Sequence, residues 1–196
     1  MFEFKKDYIL KNNVVEISPL TEEHIEPLYK ESLSENIWKY FLENGTGKEN
    51  FVKYILSAIQ KRKDEIEYPF VIKDLRLNEY AGVTRIYDLN NELKILKIGH
   101  TWIGERFQGT GLNKNCKYLL FEFLFDELKI ERIGFGASSE NIKSINAMKG
   151  IGCKQEGILR SFMPGINGKD RVDIVLMSIL KNEWTSKIKE DLKRKI

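Results

Sequence analysis

The sequence predicts an α+β fold, a mixed and mostly antiparallel sheet with helices on both faces. Two observations carry this. Strand-like runs come in pairs joined by short polar or glycine-rich turns, Phe70–Asp74 with Ala81–Tyr87 and Lys154–Phe162 with Val172–Leu180, which is the pattern of antiparallel hairpins. Another strand-like run, Leu93–Ile103, leads through a glycine turn into a long apolar helix.

Each element has its own signal. Val14–Leu20 alternates as a first strand, and Thr21 caps a helix with Glu22, Glu23 and His24 in its first turn. A second helix is expected from about Glu49 to Lys63, because Phe51, Tyr54, Ile55, Ala58 and Ile59 recur at helical spacing. The hairpin 70–87 turns at Asn78-Glu79. Helix Leu112–Leu128 is apolar around most of its circumference and should pack centrally on the sheet. Ile133–Ser138 reads as a short buried strand, and Asn141–Ile151 as a helix ended by Gly152. The last two strands are linked by Pro164-Gly165-Ile166-Asn167-Gly168. No internal repeat, low-complexity stretch or linker interrupts the 196 residues, which fit one domain.

Composition narrows the function. A chain 42% hydrophobic and 31% charged is globular, no apolar run is long enough to span a bilayer, and the N-terminus lacks the form of a signal peptide. A net charge of +3 does not call for nucleic acid, and the basic tail Lys187–Ile196 reads as a solvated helix end. Cys116 and Cys153 stand far apart without clustered histidines, so buried thiols in the cytoplasm are expected, with no disulfide and no metal.

The most informative stretch is Arg106-Phe107-Gln108-Gly109-Thr110-Gly111. A strand, a glycine turn and a helix start form a phosphate cradle: glycines admit positive φ and close approach, and the free N–H groups of the helix point at one spot favoured for anions. Arg106 adds a positive charge beside the turn. The Rossmann fingerprint does not fit, since Lys114 stands where the third glycine belongs. Gly45-Thr46-Gly47-Lys48 is no P-loop either: Leu42 replaces the leading glycine and Glu49 the magnesium-binding hydroxyl.

These residues resemble the GNAT superfamily of acyl-coenzyme A-dependent N-acyltransferases. The resemblance rests on the element order, on Arg106, Gly109 and Gly111 as Arg-x-x-Gly-x-Gly, and on Asn141-Ile-Lys-Ser144 at the next helix start. Gly150–Arg160, Asp173–Ile179 and Glu183-Trp184 resemble the branch of ribosomal-protein N-terminal acetyltransferases; the likeness spans about residues 14–184. It implies a GNAT-like fold with the sheet splayed at the cofactor site, and acetyl-CoA as cosubstrate without a metal. Its pyrophosphate would lie on N–H groups from Gln108 through Gly109, Thr110, Gly111 and Leu112 to Asn113. Its pantetheine would add as a strand to the open edge ending at Trp102-Ile103, the sheet parting after Gly104. An N–H near Ile103 would polarise the thioester carbonyl. Asn141 would lie by the pantetheine or the sulfur, and Lys149 would reach the adenosine phosphates or serve its helix dipole.

Amide formation needs a neutral amine and a stabilised leaving thiolate. Family members commonly place a tyrosine seven residues after the helix asparagine; here that position is Met148, and Ser144 resembles the serine that the ribosomal-protein branch uses instead. A plain first-turn serine is its structural alternative. Four side chains are candidates for the base: His100 beside the thioester, Asp173 at the start of the last strand, Glu31 and Glu140. The position of one base known in that branch falls near Met163. Trp38, Tyr40 and Phe41, with Phe162, are expected to line the acceptor pocket. The implied activity is acetyl transfer to a primary amine, a peptide N-terminus or a small molecule, by direct attack in a ternary complex. A non-catalytic acyl-CoA sensor is the alternative. No membrane or nucleic-acid partner is expected, and a homodimer is compatible with the sequence.

Overall fold

The computed structural model describes residues 1–165 and 170–196, so the centre of the expected 164–168 turn lies outside the described residues. Strands β1 (Leu10–Lys11) and β2 (Val15–Pro19) lead through a 3-10 turn, Glu22–His24, into α1 (Ile25–Tyr29) and α2 (Glu35–Trp38). Then come α3 (Lys48–Lys63), β3 (Glu67–Asp74), β4 (Glu79–Asn90), β5 (Ile95–Ile103) and α4 (Leu112–Phe121), which continues as π turns over Glu122–Glu127. β6 (Arg132–Ser138), α5 (Ile142–Gly150), β7 (Lys154–Pro164) and β8 (Arg171–Leu180) follow.

The eight strands form one open sheet in the order β1-β2-β3-β4-β5-β6-β8-β7. Every pairing is antiparallel except β5 with β6, the two strands joined through helix α4. β3 is covered on both faces and so reads as an unbroken apolar run, Tyr68 to Ile72. One face packs Phe70, Ile72 and Ile98 against Leu120 and Phe121 of α4 and Ile145 of α5. The other packs Val71, Val83 and Trp102 against Leu28 of α1 and Phe51 and Ile55 of α3.

Two expectations change at the termini. Phe2 and Tyr8 are buried in the main core, ahead of the first expected strand. The basic tail ends exposed, as expected, at Lys187 and Lys193–Ile196, but it is not only a solvated helix end. The chain after β8 coils through Lys181–Lys193 and docks, with Trp184 and Leu192 buried against α4 and its neighbours. At the first helix Thr21 marks the start as expected, but the bond runs the other way: Thr21 N–H donates to His24 Nδ1 (3.0 Å). Cys116 and Cys153 are buried free thiols. No described helix is long and apolar enough to cross a membrane.

Candidate functional site

The site is built where β5 and β6 part. They pair only at Ile95–Arg132, Leu96–Ile133 and Lys97–Gly134. Beyond Lys97 the two strands diverge, so the gap opens well before Gly104, where the sequence placed it. From Ile98 to Ile103, β5 therefore keeps β4 on one side and has an open edge on the other.

The orientation of that edge follows from its last bonds. Gly104 N–H donates to Ala81 C=O (2.8 Å), so the Gly82–Ile103 pair is one whose own N–H and C=O turn away from each other's strand. Ile103 C=O accordingly accepts from Gln108 Nε2 (2.7 Å), and Ile103 N–H points into the gap. The two strands approach so closely here that a Cβ on Gly82 would lie 2.1 Å from Trp102 C=O. Halfway along the edge, β5 bulges. Val83 opposes Trp102 but Arg85 opposes Gly99, and His100 takes φ +48°. The bulge turns Thr101 toward α4, where Lys117 Nζ donates to Thr84 Oγ1 (2.9 Å) and Thr101 Oγ1 (3.0 Å). Burial pushes the Lys117 pKa down. His100 faces the α1/α3 side, between Tyr87 and Phe41 with ring centroids 5.3 and 6.5 Å away.

The glycine turn follows directly. Gly109 has φ +76° with nothing within 4 Å of the Cβ it lacks, and Gly111 has φ +86°. The backbone N–H groups of Gly109, Thr110, Gly111, Asn113 and Lys114 make no hydrogen bond to a described residue, and Leu112 N–H has only a long contact (3.5 Å) with Thr110 Oγ1. These donors face open space at the start of α4, which fits a diphosphate. Gln108 is not among them. Its N–H is taken by Glu105 C=O (3.1 Å), while its side chain straps β5 to α5 by accepting from Lys143 Nζ.

The cation expected at the turn is a different one. Arg106 is bound through Nε to Glu31 (2.9 Å) and through Nη2 to Glu31 and Glu79, which hold its pKa up and lock α1 against the turn. This also removes Glu31 as a free base. Arg76, which sequence reasoning missed, donates to Thr110 C=O (3.2 Å) and is itself oriented by buried Asp74. Lys149 is exposed at the far end of α5.

On the opposite bank of the gap, Asn141 Oδ1 caps α5 by accepting from Ser144 N–H (3.0 Å). The half-buried Ser144 hydroxyl has no hydrogen-bond partner among the described residues. Met148 packs into the main core at 7% exposure. Asp173 is engaged structurally: its Oδ1 accepts from Ser161 N–H (2.7 Å), at a bulge in β7 where Ser161 has φ +51°. Arg171 clamps the same bulge through Ser161 and Phe162 C=O (2.7 Å each).

The expected acceptor aromatics divide. Trp38 is core, 5% exposed, with Nε1 donating to Ser32 C=O (2.8 Å). Phe41 is half-buried between it and His100. Tyr40 hydroxyl donates to Glu140 C=O (3.1 Å), spanning from the α2 loop to the start of α5. Phe162 is exposed on β7.

The His100 imidazole makes no hydrogen bond to a described residue. Burial, with Arg85 nearby, holds its pKa below 6.5, so the imidazole is neutral at neutral pH. Among the described residues no group of side chains is arranged to hold a metal ion.

Comparison with known proteins places this geometry. The sequence is 26% identical over 147 residues to the Bacillus subtilis protein named "Putative ribosomal N-acetyltransferase YdaF", covering 75% of this chain and 78% of that one. The fold superposes on a GCN5-related N-acetyltransferase from Brucella melitensis with a TM-score of 0.88 at 21% identity, over 98% of this chain and 86% of that one. It superposes on RimL, a ribosomal L7/L12 α-N-protein acetyltransferase, with a TM-score of 0.75 at 20% identity, over 92% and 98% of the two chains. Residues 15–154 match the acetyltransferase (GNAT) domain family, and the chain belongs to that family of acetyltransferases.

Proposed function

We propose that this enzyme transfers the acetyl group of acetyl-CoA to a primary amine by direct attack in a ternary complex. The observation that carries the reading is the open edge of β5 ending beside the free N–H groups of the 109–114 turn. A diphosphate on that turn and an amide-bearing arm along that edge are both satisfied by one ligand. The cosubstrate supplies an activated thioester; the remaining work falls to side chains and backbone of this chain. Ile103 N–H polarises the carbonyl oxygen from inside the gap. His100, neutral and without a partner, accepts the proton of the attacking amine on the α1/α3 side. Ser144, across the gap, passes its proton to the departing thiolate and takes one back from solvent, while His100 releases the amine proton to solvent, so the enzyme ends the cycle unchanged. Asp173 is left to hold the β7 bulge. The name of the Bacillus relative, a putative ribosomal N-acetyltransferase, supports a ribosomal amine as acceptor, and a peptide N-terminus or a small-molecule amine suits the same chemistry.

Thiol release from acetyl-CoA with a panel of amines tests this, run with ribosomal-protein N-terminal peptides and small amines side by side. Acetyl-CoA is expected to raise Tm by mass action, and Gly109→Val to abolish that rise, because the side chain would occupy the approach to the turn from a φ of +76°. No rise in the wild type under saturating acetyl-CoA would remove the cradle. For the base, the acid side of kcat/KM against pH is expected to carry, besides the inflection of the amine itself, a second one below the ordinary histidine value of 6.5, since burial favours the neutral form, and this second inflection is expected to vanish in His100→Gln. An acid side unchanged in that variant would transfer the role to another group.

A further inference from the structure

The α3 side of β4 and β5 carries a cluster of buried polar groups that the transfer chemistry does not use. Its centre is Arg85, 0% exposed, lying over the Tyr54 ring with 4.5 Å between guanidinium carbon and ring centroid. Only one end of this guanidinium is engaged: Nη1 donates to Glu67 Oε2 (2.8 Å). Nε and Nη2 have no hydrogen-bond partner among the described residues. Those two nitrogens share one edge of the guanidinium, and that edge is the fork that takes a carboxylate through two parallel bonds. Tyr54 Oη lies against Arg85 and Trp102 Nε1 on the same face without a formed hydrogen bond to either, on side chains 2% and 3% exposed. A fold seldom keeps so many buried donors idle, because each has lost its water.

Glu43 stands nearest to the fork without filling it. Its Oε2 lies 3.7 Å from Arg85 Nη2, beyond hydrogen-bond reach, and is itself unpartnered. Glu43 sits in the loop between α2 and α3 with its side chain 34% exposed, bonded from outside by Lys61 (2.8 Å). Arg85 and Lys61 balance Glu67 and Glu43, so withdrawing Glu43 leaves one excess positive charge around the fork. Arg85 also opposes Gly99, next to His100 on the same face of the sheet.

We propose that Arg85 reads the carboxylate of the acceptor, that Glu43 holds its place in the free enzyme, and that the preferred amines are carboxylate-bearing molecules of amino-acid size. The proposal rests on the transfer reading above, with His100 beside the amine. Arg85 and His100 then stand on neighbouring strands and on one face of the sheet, so that the carboxylate end of such a molecule meets one and its amine end the other. Tyr54 and Trp102 complete the donor set around the bound oxygens.

The test uses the full chain and matched acceptors, glycine, alanine and serine against their carboxamides. Wild-type kcat/KM is expected to favour each acid over its amide by at least about tenfold, since the amide offers no charge to the fork. Glu43→Gln is expected to lower KM for the acids severalfold and leave KM for the amides unchanged. Equal kcat/KM for acids and amides, together with no effect of Glu43→Gln, would overturn the subsite while leaving acetyl transfer standing. Arg85→Met risks misfolding because it strands Glu67, so a second readout avoids it. In the absence of acetyl-CoA, the Arg85 Nε–H resonance is expected to shift on titration with alanine and not with alaninamide. If no amine in the panel releases thiol, the transfer reading fails by itself and this resonance decides the subsite: a shift with alanine alone keeps it, no shift ends it.

Discussion

Ser144→Ala is expected to lower kcat about a hundredfold while the KM for acetyl-CoA stays within about twofold, the signature of a proton donor used only in the transition state. The substitution separates catalysis from structure because the helix start does not depend on the hydroxyl. Asn141 Oδ1 caps α5 through the backbone N–H of Ser144, and that N–H remains in alanine. Alanine is also the better helix former, so Tm should hold or rise slightly. Steady-state thiol release and a melting curve on the same preparation check both halves. A kcat equal to wild type would make Ser144 an ordinary first-turn serine. Met148 carries no proton to donate and is 7% exposed in the main core, which leaves Ser144, one turn earlier, as the candidate acid.

Trp38→Ala is expected to destabilise the fold by about 3–5 kcal/mol, the range for truncating a large buried aromatic. For a chain of this size that is a fall in Tm on the order of 10 °C. Trp38 joins Phe41, Phe51, Tyr54 and Trp102 in one aromatic packing unit, and its Nε1 ties down Ser32 C=O. The following loop is folded tightly onto the ring: a Cβ on Gly45 would come within 2.3 Å of it. Differential scanning calorimetry measures the loss. A variant with wild-type Tm and a raised acceptor KM would restore Trp38 to the acceptor pocket.

The order of elements was legible because each rested on local signals that survive tertiary context: the spacing of Phe51, Tyr54, Ile55 and Ala58, the glycine after α5, the paired runs of the hairpins. The glycine turn was legible for the same reason, since positive φ at Gly109 and Gly111 is a local demand. What stayed hidden depends on partners distant in sequence. Arg106 looked like a free cation until Glu31 and Glu79 were brought to it, and Arg76 gave no signal at all until Thr110 was. The bulge at His100 leaves no mark in the alternation of β5; it appears only in register with β4. Asp173 and Trp38 have residue types equally suited to a site and to a scaffold, and only their contacts decide. The tail Lys187–Ile196 was judged by its charges, while Leu192 on its inner face, together with Trp184 just upstream, does the docking.

The short seam between β5 and β6 has a consequence for motion. Strands β1–β5 form one antiparallel set and β6, β8 and β7 another, and the ladder between them holds at only three positions, Ile95, Leu96 and Lys97. Opening about that seam, with α4 as the connecting arm, is expected to be easier than opening within either set. A ligand lying along the gap bridges both sets and stiffens the hinge without changing the fold of either. Amide exchange in β6 and α5, far from the glycine turn in sequence, should therefore slow on cofactor binding as much as exchange in the turn itself.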